Sequence, residues 1–348
     1  MNSKRYFIGV TVGTLLLLII LALPTILVDP YFHYGAPKGT YELNNQRYQN
    51  DGIAKHFTYD ALITGSSMVE NFKTSEFDQL FGTNAIKLPY SGAHFLEIDN
   101  AVNTALKAND DLEVVFRSLD LNILDEEKDS VRYESYPEYL YDDIVVNDVS
   151  YFLNKEVLLE ATKERIEWQQ ENKESTTFDE YCAWEPGTTL KEKLGGGYDT
   201  ERGTVEESAV FTEQDRIRVK DNIYQNVVQT AENNPDVTFY LMLPPYSCLF
   251  FEEMIRAGEW EYHIEVQRCA IEELLTCKNI KLYSFCDCYD ITCNLDNYRD
   301  ITHYDENISS WLLERIKAGD GLLTRDNYMD YLESIEAYYL EMNIADCF

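Results

Sequence analysis

The hydrophobic pattern opens with Tyr6 to Val28, 23 residues without a charge. As a helix this run would be about 35 Å long at about 1.5 Å per residue, enough to cross a hydrocarbon core of about 30 Å with some tilt. Lys4, Arg5 and the amino terminus precede it and Asp29 follows it, so the positive-inside bias predicts a cytoplasmic N-terminus and places residues 30–348 outside the cell membrane. A cleaved signal peptide is the competing expectation. The length of the run, and the lack of a small-x-small site across Pro24 to Val28, favour a retained single-pass anchor.

Beyond the anchor, short apolar runs alternate with segments whose apolar residues recur at three and four. Tyr59 to Thr64, Ala85 to Leu88, Leu112 to Phe116, Val237 to Leu243 and Ile280 to Tyr283 predict five strands, and Phe95 to Lys107, Glu213 to Glu232, Glu261 to Thr276 and Glu306 to Lys317 predict helices. That alternation implies an α/β fold, a doubly wound and mostly parallel five-stranded sheet covered on both faces. The stretch from about Asp125 to Thr212 breaks the pattern, being acidic, Tyr-rich and interrupted by Gly195-Gly196-Gly197. It is expected to be an insertion whose helix, Lys155 to Gln170, forms a cap or partner surface. Asp326 to Asn343 reads as a terminal helix docked on the domain. The expected organisation is therefore a cytoplasmic tip and membrane helix over 1–28, then one extracytoplasmic domain over 29–348.

Composition narrows the function. The formal net charge of −33 argues against a nucleic-acid partner, because a polyanion repels phosphate and releases no counterions by neutralising it. With 45% hydrophobic and 13% aromatic residues the chain is a folded protein and no acidic tail; the acidity is that of a solvated outer surface. Eight cysteines, Cys182, Cys248, Cys269, Cys277, Cys286, Cys288, Cys293 and Cys347, are an even count compatible with disulfides or with plain buried thiols. Cys286-x-Cys288 with Cys293 and Cys277 nearby invites a zinc reading, but paired C-x-x-C spacing and a neighbouring His are missing. No metal and no cofactor are expected.

Two distant segments carry the candidate chemistry. Leu62-Ile63-Thr64-Gly65-Ser66-Ser67-Met68 is a strand running into a small-residue turn, and the carboxyl ends of strands are where open parallel sheets place ligands. Gly65 lets the backbone turn sharply, and the amides after it can face a developing oxyanion. A serine at such a place is also an ordinary helix cap. The second segment, Asp296 to Tyr304, contains Asp300 and His303 just before the last sheet-packed helix. A serine nucleophile needs a base, and the base needs an anion that fixes its tautomer and stabilises the imidazolium. A spacing of three lets Asp300 and His303 point the same way; the simpler expectation is an Asp that caps the helix beside a packed His.

The order of these elements resembles the SGNH (GDSL-like) hydrolase superfamily, over roughly residues 29–317 apart from the insertion. The resemblance implies a flavodoxin-like strand order, with Gly65-Ser66-Ser67 matching G-D-S so that Ser67 is the nucleophile and Ser66 replaces the usual Asp. It puts the block-five pair on Asp300 and His303 and an oxyanion-hole amide on Gly92, beside that of Ser67. The third block departs from G-x-N-D: here Ser118-Leu119-Asp120-Leu121-Asn122 follows the third strand. Asp120 could donate to an oxyanion only if a dry site kept it protonated, and Asn122 is the other candidate. The GSS form and the single span look most like membrane-anchored SGNH-like proteins that work beside membrane-bound O-acyltransferases, such as the D-alanylation protein of lipoteichoic acid assembly and polysaccharide O-acetylation proteins. That likeness implies an acyltransferase with a membrane O-acyltransferase as acyl donor and a cell-surface polysaccharide as acceptor. A carbohydrate esterase or deacetylase, and a catalytically inactive scaffold subunit of the same fold, are the alternatives.

Secondary candidates line the expected cleft. His94 lies two residues after Gly92, and Tyr246 and Ser247 follow the fourth strand in Pro244-Pro245-Tyr246-Ser247, read as a pocket wall. Arg117 and Arg299 could hold an anionic group of a substrate, with ion pairing among 62 acids the simpler role. Trp184 or Trp260 could stack on a sugar ring, core packing being the default for either.

Overall fold

The computed structural model describes residues 3–132, 137–142, 144–195, 197–203 and 205–348; Gly196 of the glycine run lies outside the described residues. The chain divides into two compact units, one of residues 1–58 with 135–177, the other of 59–134 with 178–348.

The second unit is an α/β fold with a six-stranded, mostly parallel sheet. Its strands are β1 (Ala61–Gly65), β2 (Ala85–Pro89), β3 (Val114–Ser118), β4 (Thr238–Leu243), β5 (Ile280–Ser284) and β6 (Leu322–Leu323), in the spatial order β2-β1-β3-β4-β5-β6. The first five pair in parallel, and β6 adds an antiparallel edge. Five strands fall where the apolar runs predict them. The sixth was not foreseen: two residues, Leu322 and Leu323, carry no periodicity. β1 and β2 are buried at every position, as a sheet with helices on both faces requires.

Helices Phe95–Ala108, Trp260–Leu274 and Glu306–Ala318 match their expected spans, and the run Glu213 to Asn233 is helical throughout, with a π turn at Tyr224–Val228. Sequence periodicity does not mark several shorter helices, Thr74–Phe81 and Cys248–Arg256 among them. The C-terminal helix Tyr328–Glu341 buries Tyr331, Leu332, Ile335 and Tyr339, which is the docked face expected of it. The strand order reverses between β1 and β3, so the crevice at the carboxyl ends of these two strands is the topological switch point at which such sheets bind ligands.

The first unit begins with the helix Ser3–Val28, long and apolar enough to cross a membrane at a mean hydropathy of 2.6 over its best window. Behind it, Tyr31, Leu140, Tyr151 and Val157 form an aromatic-rich core. Asp29 accepts from the Tyr151 hydroxyl at 2.9 Å, and Asp148 from Tyr34 at 2.5 Å. The segment expected as a single insertion over 125–212 thus divides: 135–177 belongs with this N-terminal core, and 178–212 with the sheet. Residues 155–170 are helical as expected, with a π turn at Val157–Ala161.

Arg117 requires a correction. It points into the packed interior from β3, 2% exposed, and donates to Asn226 O at 2.7 Å and Phe95 O at 3.1 Å, with Asp99 Oδ1 at 3.4 Å. It is an internal brace and cannot meet a substrate anion. Burial pushes the Asp99 carboxyl up to about 6 in spite of the guanidinium. Replacing Arg117 by Leu leaves two carbonyls without their donor and Asp99 without its counter-charge, so unfolding free energy is expected to fall by about 3–5 kcal/mol in a denaturant titration.

Candidate active site

Local backbone geometry presents Ser67. At the end of β1, Gly65 has φ +154°, and a Cβ there would come 2.9 Å from Val69 Cγ1 and 3.1 Å from Ser118 Cβ. The chain then turns into a short 3₁₀ segment, Ser67–Val69, capped by Ser66, whose Oγ accepts from Met68 N at 3.3 Å. Behind this turn the fully buried Lys87 of β2 donates to Glu70 O at 2.5 Å and Phe72 O at 3.0 Å, and burial pushes its ammonium down to about 8. Gly65→Ala is expected to cost about 1–3 kcal/mol in chemical denaturation through backbone strain alone, and to displace Ser67.

The other half of the site is a closed loop. Tyr298 and Tyr304 form an isolated bridge, and Arg299 N donates to His303 O at 2.8 Å. The Pro244–Ser247 segment after β4 clamps this loop: Ser247 N and Oγ both donate to Ile301 O, at 3.0 and 2.8 Å, and the Tyr298 hydroxyl donates to Pro245 O at 2.7 Å. Asp305, not Asp300, caps the following helix, accepting from Asn307 N and Ile308 N. That leaves Asp300 for the imidazole. Its Oδ1 accepts from the amides of Thr302 at 3.0 Å and His303 at 2.9 Å, and His303 Nδ1 lies 2.8 Å from its Oδ2. On the far side of the ring, Nε2 is 2.8 Å from Ser67 Oγ.

Protonation follows from these contacts. Burial alone would raise the Asp300 pKa, but hydrogen bonds from the His303 side chain and amide and from the Thr302 amide outweigh it and hold the carboxyl well below the usual range. An ionised carboxylate only accepts, so His303 Nδ1 carries its proton and donates to Asp300. Nε2 is then the acceptor for the Ser67 hydroxyl. Burial lowers the His303 pKa, while Asp300 by hydrogen bond and charge, with Asp120 and Glu70, more than reverses this; the net direction is upward. The group arrangement is that of a general base poised on a hydroxyl and steadied by an anion.

Beside the Ser67 amide, three further candidate oxyanion donors from the sequence differ in setting. Tyr90 N bonds Gly65 O at 2.8 Å, tying the Tyr90–Ala93 turn to the end of β1, and Gly92 sits exposed in that turn at φ +67°. Asp120, after β3, is fully buried; its Oδ2 takes the Ser66 hydroxyl and its Oδ1 is buried without a hydrogen bond. Burial pushes its pKa up, against the pull of Ser66 and of the His303 charge. Asn122 is exposed, and its Oδ1 accepts from the Tyr246 hydroxyl at 3.4 Å.

Four secondary candidates take other roles. Tyr246 is 1% exposed and packs edge-on to Phe250, and Ser247 is buried under Ile301 O; Ser247 supports the His303 loop, and both are too buried to form a pocket wall. His94 precedes the helix Phe95–Ala108, its amide held by Glu97 and its Nδ1 2.8 Å from Ser130 Oγ. Trp260 is buried against Phe251 and Tyr339. Trp184, by contrast, stands edge-on to His303 with ring centroids 5.0 Å apart, under the Arg299 guanidinium at 5.1 Å, and its indole N–H is held by Glu70. Beside it lies a pocket of about 180 Å³ lined by Trp184, Arg299, Asp296 and Asn71 among others. Lys87, and the bond of Ser66 to Asp120, escaped sequence reasoning because they run to backbone carbonyls and to a residue 54 positions away.

No family model matches the chain, and no curated protein matches it. Among solved structures it is similar to one from Streptococcus pneumonia named for platelet activating factor, at 11% identity over 82% of this chain and 91% of that chain, with a TM-score of 0.38.

Proposed function

We propose that this protein is a serine-dependent acyl transferase of the SGNH type, held at the cell membrane by its N-terminal helix, that moves an acyl group onto a hydroxyl of a cell-surface polysaccharide. The observation that carries the reading is the continuous relay Ser67 Oγ, His303 Nε2, His303 Nδ1, Asp300, with 2.8 Å at each junction. Ser67 attacks the acyl carbonyl while His303 takes its proton; the tetrahedral oxyanion faces the amides of Ser67 and Gly92. His303 returns the proton to the leaving group, and the acyl-enzyme is then opened by an acceptor oxygen that His303 deprotonates in turn. A membrane-bound O-acyltransferase is the proposed donor. The Trp184 face beside the base suits a sugar ring, since aromatic planes pack against the apolar faces of carbohydrates and Arg299 can meet their oxygens. With water as acceptor the same relay is an esterase.

Acceptor choice is measurable on the full-length protein in detergent. With an activated acetyl ester as donor, added oligosaccharide is expected to divert acetyl from free acetate to an acetylated sugar, in proportion to its concentration. Acetate release unaffected by every oligosaccharide would make the protein a hydrolase.

Asp120 gives a separate test. Burial favours the protonated form of Asp120, and in that form it can donate to the oxyanion, so Asp120→Asn, which keeps a donor, is expected to retain turnover. Asp120→Leu should lose about 10²–10³-fold in kcat, the usual worth of one such donor.

A further inference from the structure

Outside the proposed site, three thiols from distant parts of the second unit converge. Cys248 begins the helix Cys248–Arg256, Cys293 follows the turn Tyr289–Thr292, and Cys347 ends the C-terminal 3₁₀ turn Ile344–Cys347. Their Sγ atoms all lie within 4.8 Å of one another. A fourth soft donor completes the group, the Met342 Sδ at 3.6 Å from Cys293 Sγ, and the Tyr338 hydroxyl approaches the same sulfur at 3.7 Å. Cys248 and Cys347 are buried, whereas Cys293 is partly open. The zinc reading of the sequence pointed elsewhere: of Cys277, Cys286, Cys288 and Cys293, only the last belongs to this cluster.

We propose that Cys248, Cys293 and Cys347 bind one thiophilic d¹⁰ cation of the Zn²⁺ kind, with Met342 or a water in the fourth position. Thiolates bind Zn²⁺ at about 2.3 Å, which puts the sulfurs of a tetrahedral site roughly 3.8 Å apart, so small rotamer shifts close the set observed. A disulfide would join two of these thiols and leave the third unused beside it; a metal engages all three. Binding exchanges three S–H protons, released to solvent, for three S–M bonds, with no change of oxidation state. Three thiolates and a divalent ion leave a single negative charge, and the Tyr338 hydroxyl can donate to the Cys293 sulfur from outside the ligand set, as supporting groups do at such sites.

The position gives the site a structural consequence. Cys248 adjoins Ser247, which holds Ile301 of the His303 loop, and Cys293 lies at the head of the segment that leads into it. The cation would fasten the C-terminal turn to both supports of that loop.

The test uses the full-length protein, reduced and freed of metal under anaerobic conditions. Co²⁺ is expected to give thiolate charge-transfer and tetrahedral ligand-field absorption saturating at one equivalent, and one equivalent of Zn²⁺ to abolish them and raise the Tm. Cys347→Ser, at the chain end, should weaken Zn²⁺ by more than the 10–100-fold that a lost supporting contact costs, and Cys293→Ser should do the same. Cys288→Ser, outside the cluster, should bind as the parent does. Absorption no stronger than that of the Cys347→Ser protein would overturn the proposal. So would two of the three thiols resisting alkylation in the protein as purified until a reductant is added, which would identify a disulfide.

Discussion

Ser67→Ala in the full-length protein is expected to lower turnover of an activated acetyl ester by about 10⁴–10⁶-fold, with KM little changed, because the acyl-enzyme has no other oxygen on which to form. Ser66 cannot stand in. Its Oγ is engaged by Asp120 and the Met68 amide, it is 1% exposed, and His303 Nε2 meets Ser67. His303→Ala should fall into the same range, and the double variant should be scarcely slower than either single one, since nucleophile and base act as a unit. The activity that survives all three changes is that of the oxyanion amides and substrate binding. Additive losses would mean that the two residues serve separate functions. Stability should hardly move: Ser67 is only partly buried, and its removal leaves Asp300 still satisfying the imidazole.

Asp300→Asn is the second large effect, with kcat expected to drop about 10⁴-fold. The amide can present its NH₂ to Nδ1 and select the tautomer whose proton sits on Nε2, which then cannot accept from Ser67. The change also has a signature in pH. A raised His303 pKa means that the ring is protonated, and useless as a base, up to a pH above the ordinary histidine value of about 6.5. Turnover of the parent should therefore rise with pH through a midpoint above that value. Without the carboxylate the ring loses its strongest stabilising anion and the His303 pKa falls relative to the parent, so the residual activity of Asp300→Asn should show its acid limb displaced to lower pH. A limb that stays in place would show that Asp300 does not set the charge of the ring.

Much of this site was legible in the sequence because its chemistry is carried by short motifs at strand ends. The apolar run into Gly65 fixed where Ser67 emerges, and the Asp300 to His303 spacing survived as a hydrogen-bonded pair. Even the doubt over Asp300 resolves locally: Asp305 stands at the cap position, two residues beyond His303. What pattern reading missed is carried by tertiary bonds without periodicity. Arg117 sits in β3 and looks like a cation at a strand mouth, yet its partners are Asp99, Phe95 and Asn226, reached only after two helices pack on the sheet. Ser247 carries its role in two bonds to one backbone carbonyl 54 residues away, and a carbonyl has no letter in the sequence. The aromatic core that joins 135–177 to the N-terminal segment depends on pairs such as Asp29 with Tyr151, 122 positions apart. The cysteine cluster escaped for the same reason: 248, 293 and 347 fit no ligand spacing.

The most direct test is covalent. The full-length protein, folded as judged by its thermal transition, is incubated with a fluorophosphonate and its peptides are mapped by mass spectrometry. A single adduct on Ser67, absent from His303→Ala and slowed at pH values where the imidazole is protonated, is the predicted result. A folded protein that takes up no phosphonate, or takes it at Ser66 or another serine in place of Ser67, would contradict the assignment of Ser67 as a nucleophile activated by His303.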